Sequence, residues 1–349
     1  MRRVTAAAMI GAAVLLAGCS SAASSSSSSG TATAAGANSG GGSAVTVRLG
    51  FLTNITHASA LVGLKEGFFT KALGSAGTLK PTAFSTGTQE TTALLAGQLD
   101  AAYVGPNPAI NAWQKSNGNA IKIISGAATG GASVVVKNGI ASASQLKGKT
   151  LATPSLGNTQ DVALRYWLKQ QGVTTNTTGG GDAFIKPTTP NSAAVLEFKS
   201  GQVAGGSEPA PYDIEMVKDG GTVLLSESGV TTILVVTQSF LSAHPAVVAD
   251  LVKAQVQAND FIKSSPTAAQ ADANAELATY TAKPLKPSLV AAAFKEITFT
   301  DDPDASSLTT DASQATSLGL LKPVNLSGIF DLGPLNTALA AAGESQVSS

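Results

Sequence analysis

Cysteine occurs once in the 349 residues, at Cys19, so no disulfide can close within the chain and no set of thiolates can hold a structural metal ion. Histidine occurs only at His57 and His244, and neither a G-x-S-x-G elbow nor an H-E-x-x-H helix is present. These absences remove the common hydrolase and zinc-enzyme signatures, and no cofactor or metal site is expected. Charged residues are scarce at 13%, and 22 basic side chains balance 22 acidic ones. A nucleic-acid partner, which calls for a basic face, is therefore not expected. Aromatic residues make up only 5%, which bears on ligand chemistry below.

The first 18 residues carry an export pattern. "MRR" is a basic start, and "VTAAAMIGAAVLLAG" is an apolar run too short for the roughly 20 residues that span a bilayer. Residues 1–18 are read as a signal peptide. It ends in "LAGC", Leu16–Cys19, which resembles the lipobox of bacterial lipoproteins and implies that Cys19 is the acylated first residue of the mature chain, a lipid anchor to the outer face of the cell membrane. Loss of Arg2 and Arg3 takes the basic count from 22 to 20 against 22 acidic residues, a net of about −2. Residues 19–44 hold serine, glycine, alanine and little else, with no charge and no large apolar side chain, as in a flexible tether.

From Val45 onward β-branched runs alternate with helical stretches. Strands are expected at "VTVRLGFL", "TLKPTAF", "AAYVG", "IKIIS", "SVVVK", "TLATP", "AFIKPTT", "GTVLLSE" and "TTILVVT". Helices are expected over Ser59–Glu66, Gln89–Ala96, Pro108–Lys115, Thr159–Gln171, Ser192–Lys199 and Pro211–Lys218. That alternation implies mostly parallel sheets flanked by helices, an α/β class. After about Gln238 the pattern is helical only. "LLAGQLDAAYVGPNPA" and "EFKSGQVAGGSEPAPY" share one plan: helix end, Gly-Gln, short strand, Pro-rich loop. Two copies of one unit suggest two similar lobes. "GKT", Gly148–Thr150, lacks the earlier glycine of a phosphate-binding loop, since position 143 is Ala143, and is read as a turn.

The chain resembles the substrate-binding lipoproteins of ABC importers in the nitrate, sulfonate and taurine branch. The resemblance is carried by "LAGC" at Leu16–Cys19 and then, in order along a stretch from about Val47 to at least Lys263, by "THASALVGLKEGFF", "TGTQETTALLAGQLDAAYVGPNPAI", "LKGKTLATPSLGNTQDVALRYWLKQQGV", "FKSGQVAGGSEPAPY" and "VVTQSFLSAHPAVVADLVKA". It implies a two-lobed periplasmic-binding type II fold with ligand between the lobes: residues 45–132 as the first part of lobe I, 133–230 as lobe II, and 231–349 as a return strand with helices covering lobe I. It also implies a small-molecule solute, a permease with its ATPase as partners, a monomer, and no enzymatic activity. A thiamine-pyrimidine or other small-metabolite binder of the same fold and an anchored solute sensor are the alternatives.

Ligands of open α/β sheets sit at the carboxyl ends of strands, where helices begin. The loops there are rich in Gly, Ser, Thr, Asn and Gln and hold no Lys or Arg. Helix N-termini with free N–H groups can hold a small oxyanion without fixed cations. The candidate ligand residues are Asn54, Thr56, His57, Thr88, Gln89, Asn107, Ser133, Asn158, Thr159 and Glu208. Each has a second reading. Asn54, Thr56, Thr88, Gln89, Asn158 and Thr159 stand where helix caps belong, Asn107 between two prolines of a turn, and His57 can be a hydrogen-bonded structural histidine. Glu208 would repel a bare anion, so it either caps the next helix or meets a positive ligand group. The near-absence of aromatics, Tyr212 apart, speaks against stacked ring ligands.

Overall fold

In the strand Val45–Leu52 (β1), Val47, Leu49 and Phe51 are fully buried on one face, as the two-residue period of a strand requires. The computed structural model of the protein describes residues 44–178 and 180–349. The leader, Cys19 and the tether up to residue 43 lie outside the described residues.

After β1 come a 3-10 turn at Ile55–His57, helices Ala58–Lys65 (α1) and Phe68–Leu73 (α2), strand Gly77–Phe84 (β2), helix Gly87–Leu95 (α3), strand Ala101–Val104 (β3), helix Pro106–Lys115 (α4) and strand Ile121–Gly130 (β4). A second set follows. It runs Ala132–Lys137 (β5), Thr150–Thr153 (β6), Thr159–Gln170 (α5), Phe184–Pro187 (β7), Asn191–Ser200 (α6), Gly205–Pro209 (β8), Tyr212–Lys218 (α7) and Gly221–Ser226 (β9). The chain then enters Val230–Thr237 (β10), and from there helices Gln238–Ala243 (α8), Pro245–Ser264 (α9), Pro266–Thr281 (α10) and Pro287–Glu296 (α11), strand Ile297–Phe299 (β11), and helices Ala305–Ser317 (α12) and Gly333–Ala342 (α13).

Two sheets result. One has the order β11-β4-β10-β3-β1-β2, the other β7-β6-β8-β5-β9. Each has a parallel half, β1 with β2 and β3 in the first and β6 with β7 and β8 in the second. Each also has an antiparallel half, because β10 runs against β3 and β4, and β5 against β8 and β9. The two similar sequence segments become α3–β3–α4 and α6–β8–α7, in equivalent places of the two sheets. The "GKT" stretch is a turn before β6, with Gly148 at positive φ.

Both sheets are covered on both faces. Tyr103, Leu234 and Val236 pack with β1 on one face of the first sheet, while Ala102, Val104, Ile233 and Val235 pack on the other. In the second sheet Val134, Val136 and Leu151 face one core, and Val135 and Ala152 the other. A strand buried on both faces reads as a continuous apolar run, which is why "TTILVVT" shows no alternation. The long helix α9 packs on α1, α2 and β4, and a buried polar chain fastens it there. Tyr103 donates its hydroxyl to Gln255 Oε1 at 2.6 Å, Ser59 Oγ donates to Asn259 Oδ1 at 2.6 Å, and both amides donate to Asp301 Oδ1.

The chain leaves the first sheet for the second at Gly130–Gly131, and both glycines sit at φ near +70°. A side-chain carbon at Gly130 would lie 2.7 Å from the Glu296 carbonyl, and one at Gly131 only 2.3 Å from Ile297. Positive φ and close approach together require glycine at this crossing. The chain returns through Glu227–Gly229, where the Gly130 N–H donates to the Gly229 carbonyl at 2.9 Å.

Candidate functional site

The strand ends of the two sheets face a shared cleft of about 30 Å³, room for about two water molecules or one small ion. Five helices begin at its wall. Asn54, Thr56 and His57 lead into α1, Ser85, Thr86 and Gly87 into α3, and Gly105 and Pro108 belong to the start of α4. From the second sheet come Asn158, Thr159 and Gln160 at the start of α5, and Asn191 at the start of α6. Leu52, Pro154, Pro209 and Thr231 complete the lining, and none of these described residues is charged. Each helix of this length carries about half a positive charge at its N-terminus, with unpaired N–H groups directed outward. The cleft is thus electropositive without a cation.

Capping and lining turn out to be compatible roles. Asn54 Oδ1 accepts the Thr56 N–H at 3.1 Å and the Thr56 hydroxyl at 2.7 Å, and Asn158 Oδ1 accepts the Asp161 N–H at 2.9 Å. Both asparagines nonetheless line the cleft. At His57 the Leu52 N–H donates to Nδ1 at 3.2 Å, which fixes the neutral tautomer with its proton on Nε2. Burial pushes the His57 pKa down to about 3, so the ring stays neutral and offers a donor at the cleft wall. One further cleft group, Thr159 Oγ1, has no protein partner, and the Asn191 amide lies beside the buried Glu208 carboxyl.

Of the residues singled out from sequence, the structure gathers Asn54, Thr56, His57, Asn158 and Thr159 in this lining. It places the other five outside. Thr88 and Gln89 are exposed, with the Thr88 hydroxyl 3.3 Å from that of Ser155 on the opposite lobe. Asn107 is buried, but its amide donates to the Asp311 carbonyl at 3.4 Å, toward α12. Ser133 and Glu208 sit opposite each other in β5 and β8 and are not among the lining residues. The Glu208 carboxyl is fully buried beside the Asn191 amide, and burial, reinforced by Asp213, pushes its pKa well above the carboxylate range against the pull of that amide. Burial favours its neutral acid form, which would not repel an anion.

Sequence reading does not single out Thr86, Gly105 or Asn191. The helix expected from Ser192 starts at Asn191, and "TTPNSA" follows a strand and opens a helix like the other loops, which is the available signal.

The lobes also touch directly. The Ile55 N–H donates to the Ala210 carbonyl at 3.0 Å, and the Tyr212 hydroxyl to the Thr53 carbonyl at 3.2 Å. At the cleft itself, a side-chain carbon on Gly105 would lie 2.6 Å from Thr159 Oγ1 of the other lobe.

A two-sheet scaffold crossed twice, with helix starts from both halves around one cleft, has known relatives. A family model described as the NMT1-like family matches residues 40–279. The chain belongs to the NMT1-like family. Among solved structures, this NMT1-like chain is similar to the alkanesulfonate-binding protein SsuA from Xanthomonas axonopodis pv. citri bound to MOPS. The TM-score is 0.70 at 16% identity, covering 84% of this chain and 100% of that one. It is also similar to the periplasmic nitrate-binding protein NrtA from Synechocystis PCC 6803, with TM-score 0.72, 15% identity, and coverage of 85% and 89%. A third is the ligand-binding component of an ABC-type import system from Staphylococcus aureus with zinc bound, with TM-score 0.68, 14% identity, and coverage of 84% and 99%. Comparison with curated proteins gave no match. The fold is that of the periplasmic binding proteins, a mixed α/β architecture with two sheets.

Proposed function

We propose that the protein is the solute-binding component of an ABC importer and captures a small oxyanionic or zwitterionic solute of the aliphatic sulfonate, taurine or nitrate class. The observation that carries this reading is the cleft lining: helix starts from both lobes, neutral donors, and no charged side chain among the described residues. Such a site replaces the water around an anion with N–H and O–H donors, and the helix dipoles supply the positive potential. The sulfonate- and nitrate-binding proteins of the same fold support the choice of solute. No reaction is assigned to the site. Among the described residues no group of three or more His, Cys, Asp or Glu could hold a metal ion. Thr56, His57 and Asn54 would act from lobe I, and Thr159 and Asn191 from lobe II.

In this reading solute contacts to both lobes favour the closed form, which a permease then recognises. Cys19 would hold the protein to the outer membrane surface through lipid, with residues 19–44 as tether, and the protein would act as a monomer.

A thermal-shift screen tests the reading. A solute at 100 times its dissociation constant adds about 2.7 kcal/mol of stability. One or more of methanesulfonate, taurine, nitrate and bicarbonate is expected to raise the melting temperature by several degrees. A screen in which none does, while a cation or thiamine pyrimidine does, overturns it.

A further inference from the structure

A row of carboxyls leads from the cleft lining to the surface of the protein. Asn191, at the start of α6, lines the cleft, and its amide lies beside the carboxyl of Glu208 in β8, whose next residue, Pro209, is also a lining residue. Glu208 is fully buried, with Asp213 of α7 as a charged neighbour. Asp213 is buried too, beside the Ser133 hydroxyl, and its carboxyl is hydrogen-bonded to that of Glu296 at the exposed end of α11. Two carboxyls that share a hydrogen bond hold a proton between them.

The charges that act on Glu208 are Asp213 and Glu197 of α6, both negative, and Glu197 is already paired with Lys186 at 2.6 Å. Among the described residues none of Glu208, Asp213 and Glu296 takes part in an ion pair. The lysines facing α7, Lys218, Lys283 and Lys286, act on Glu215 instead, against Asp219. Tyr212, pushed up to about 12, stays neutral beside the row. Burial pushes Glu208 well above the carboxylate range, and burial with the Glu296 carboxyl pushes Asp213 up to about 8. Protons therefore do here what cations do elsewhere.

We propose that Glu208 and Asp213 form a proton-binding site coupled to the cleft, so that an anion entering beside Asn191 is accompanied by uptake of a proton on this carboxyl pair. The inference rests on the oxyanion reading of the cleft and gives it a second ligand. A negative charge next to a carboxyl favours the neutral acid, so a bound anion draws a proton to the pair. By reciprocity, a proton on the pair strengthens anion binding. Affinity is then full at pH values where the pair is already neutral and falls as pH rises through the range in which it ionises, by up to about tenfold per pH unit for one proton. The exposed Glu296 carboxyl is where the row meets solvent.

Calorimetric titration with methanesulfonate and with nitrate, each in two buffers of different ionisation enthalpy, counts the protons exchanged. Both anions stay ionised at neutral and alkaline pH, so a proton taken up goes to the protein. The unaltered protein is expected to take up about 0.4 to 0.8 proton per anion at about pH 9 and almost none at about pH 6, with the dissociation constant about five- to tenfold higher at the alkaline end. The double variant Glu208→Gln with Asp213→Asn keeps the shapes and removes both titrations. It should bind as tightly as the unaltered protein at about pH 6 and lose the alkaline uptake. Binding to the unaltered protein without proton uptake overturns the proton site and leaves the oxyanion reading intact, whether or not the double variant folds. Uptake that survives in the double variant, or that is confined to acid pH where His57 with its pKa of about 3 would be the source, also overturns it. If neither anion binds at any pH, the oxyanion reading and this inference fall together.

Discussion

Replacement of Gly105 by valine is expected to weaken solute binding by about 10- to 100-fold while leaving the melting temperature of the solute-free protein nearly unchanged. Gly105 sits between β3 and α4 at φ −68° and ψ 154°, a conformation that valine adopts without strain. The cost lies across the cleft, where a side-chain carbon would stand 2.6 Å from Thr159 Oγ1 at the start of α5. In the proposed closure neither lobe has to unfold to relieve that overlap, because separating the lobes is enough. Overpacking of this kind costs about 1–3 kcal/mol, and here the cost falls on the closed form alone. Calorimetric titration beside a melting curve checks both halves of the prediction. Adding Thr159→Ala should recover part of the affinity, since it removes the atom that is struck. A Gly105→Val protein that binds as tightly as the unaltered chain would show that the two lobes do not need this approach.

The second large effect concerns the scaffold of lobe II. Asp161 and Arg165 form an ion pair one helical turn apart in α5, with Nε to carboxylate distances of 2.9 Å and almost no exposure. The same carboxylate accepts the Thr153 hydroxyl at 3.0 Å and the Gly157 N–H at 2.9 Å, so it ties the end of β6 and the following loop to the helix. Burial pushes the Asp161 pKa up, and Arg165 with these donors pulls it back. Asp161→Ala would strand a buried guanidinium, a loss of about 3–5 kcal/mol. The melting temperature should fall by about 10 °C. The double variant Asp161→Ala with Arg165→Met should be more stable than Asp161→Ala alone, because no charge is left unpaired. If the single change costs under about 1 kcal/mol in urea unfolding, the pair does not hold the loop.

Most of the fold was legible because its periods are local. The apolar run of β10 and the Gly-Gln repeat before β3 and β8 stand in the sequence itself, and the helix starts at Thr159 and Pro245 follow from their flanking residues. Pairing direction was less visible. Which strands run antiparallel depends on the two crossings, and nothing in "SVVVK" tells that β5 runs against both its neighbours. The six-residue helix α2 and the three-residue strand β11 are too short for a period to show.

Within the site, residues adjacent to helix starts were recoverable and side-chain direction was not. Asn54 and Asn158 serve as caps and as lining at once, an outcome a choice between the two roles does not contain. Asn107 and Glu208 look alike to sequence reading, as polar groups in Pro-rich loops of equivalent units. Side-chain direction then separates them from the lining, the Asn107 amide turning toward α12 and the Glu208 carboxyl lying in β8 opposite Ser133. Gly105 carries no side chain to notice, and its importance comes only from the lobe opposite.

A crystal structure of the protein soaked or grown with methanesulfonate tests the whole account most directly. The sulfonate oxygens should lie within about 3.2 Å of N–H or O–H donors from both lobes, among them groups at the starts of α3 and α5, with no lysine or arginine in contact. A sulfonate held by a basic side chain, or touching one lobe only, would contradict it.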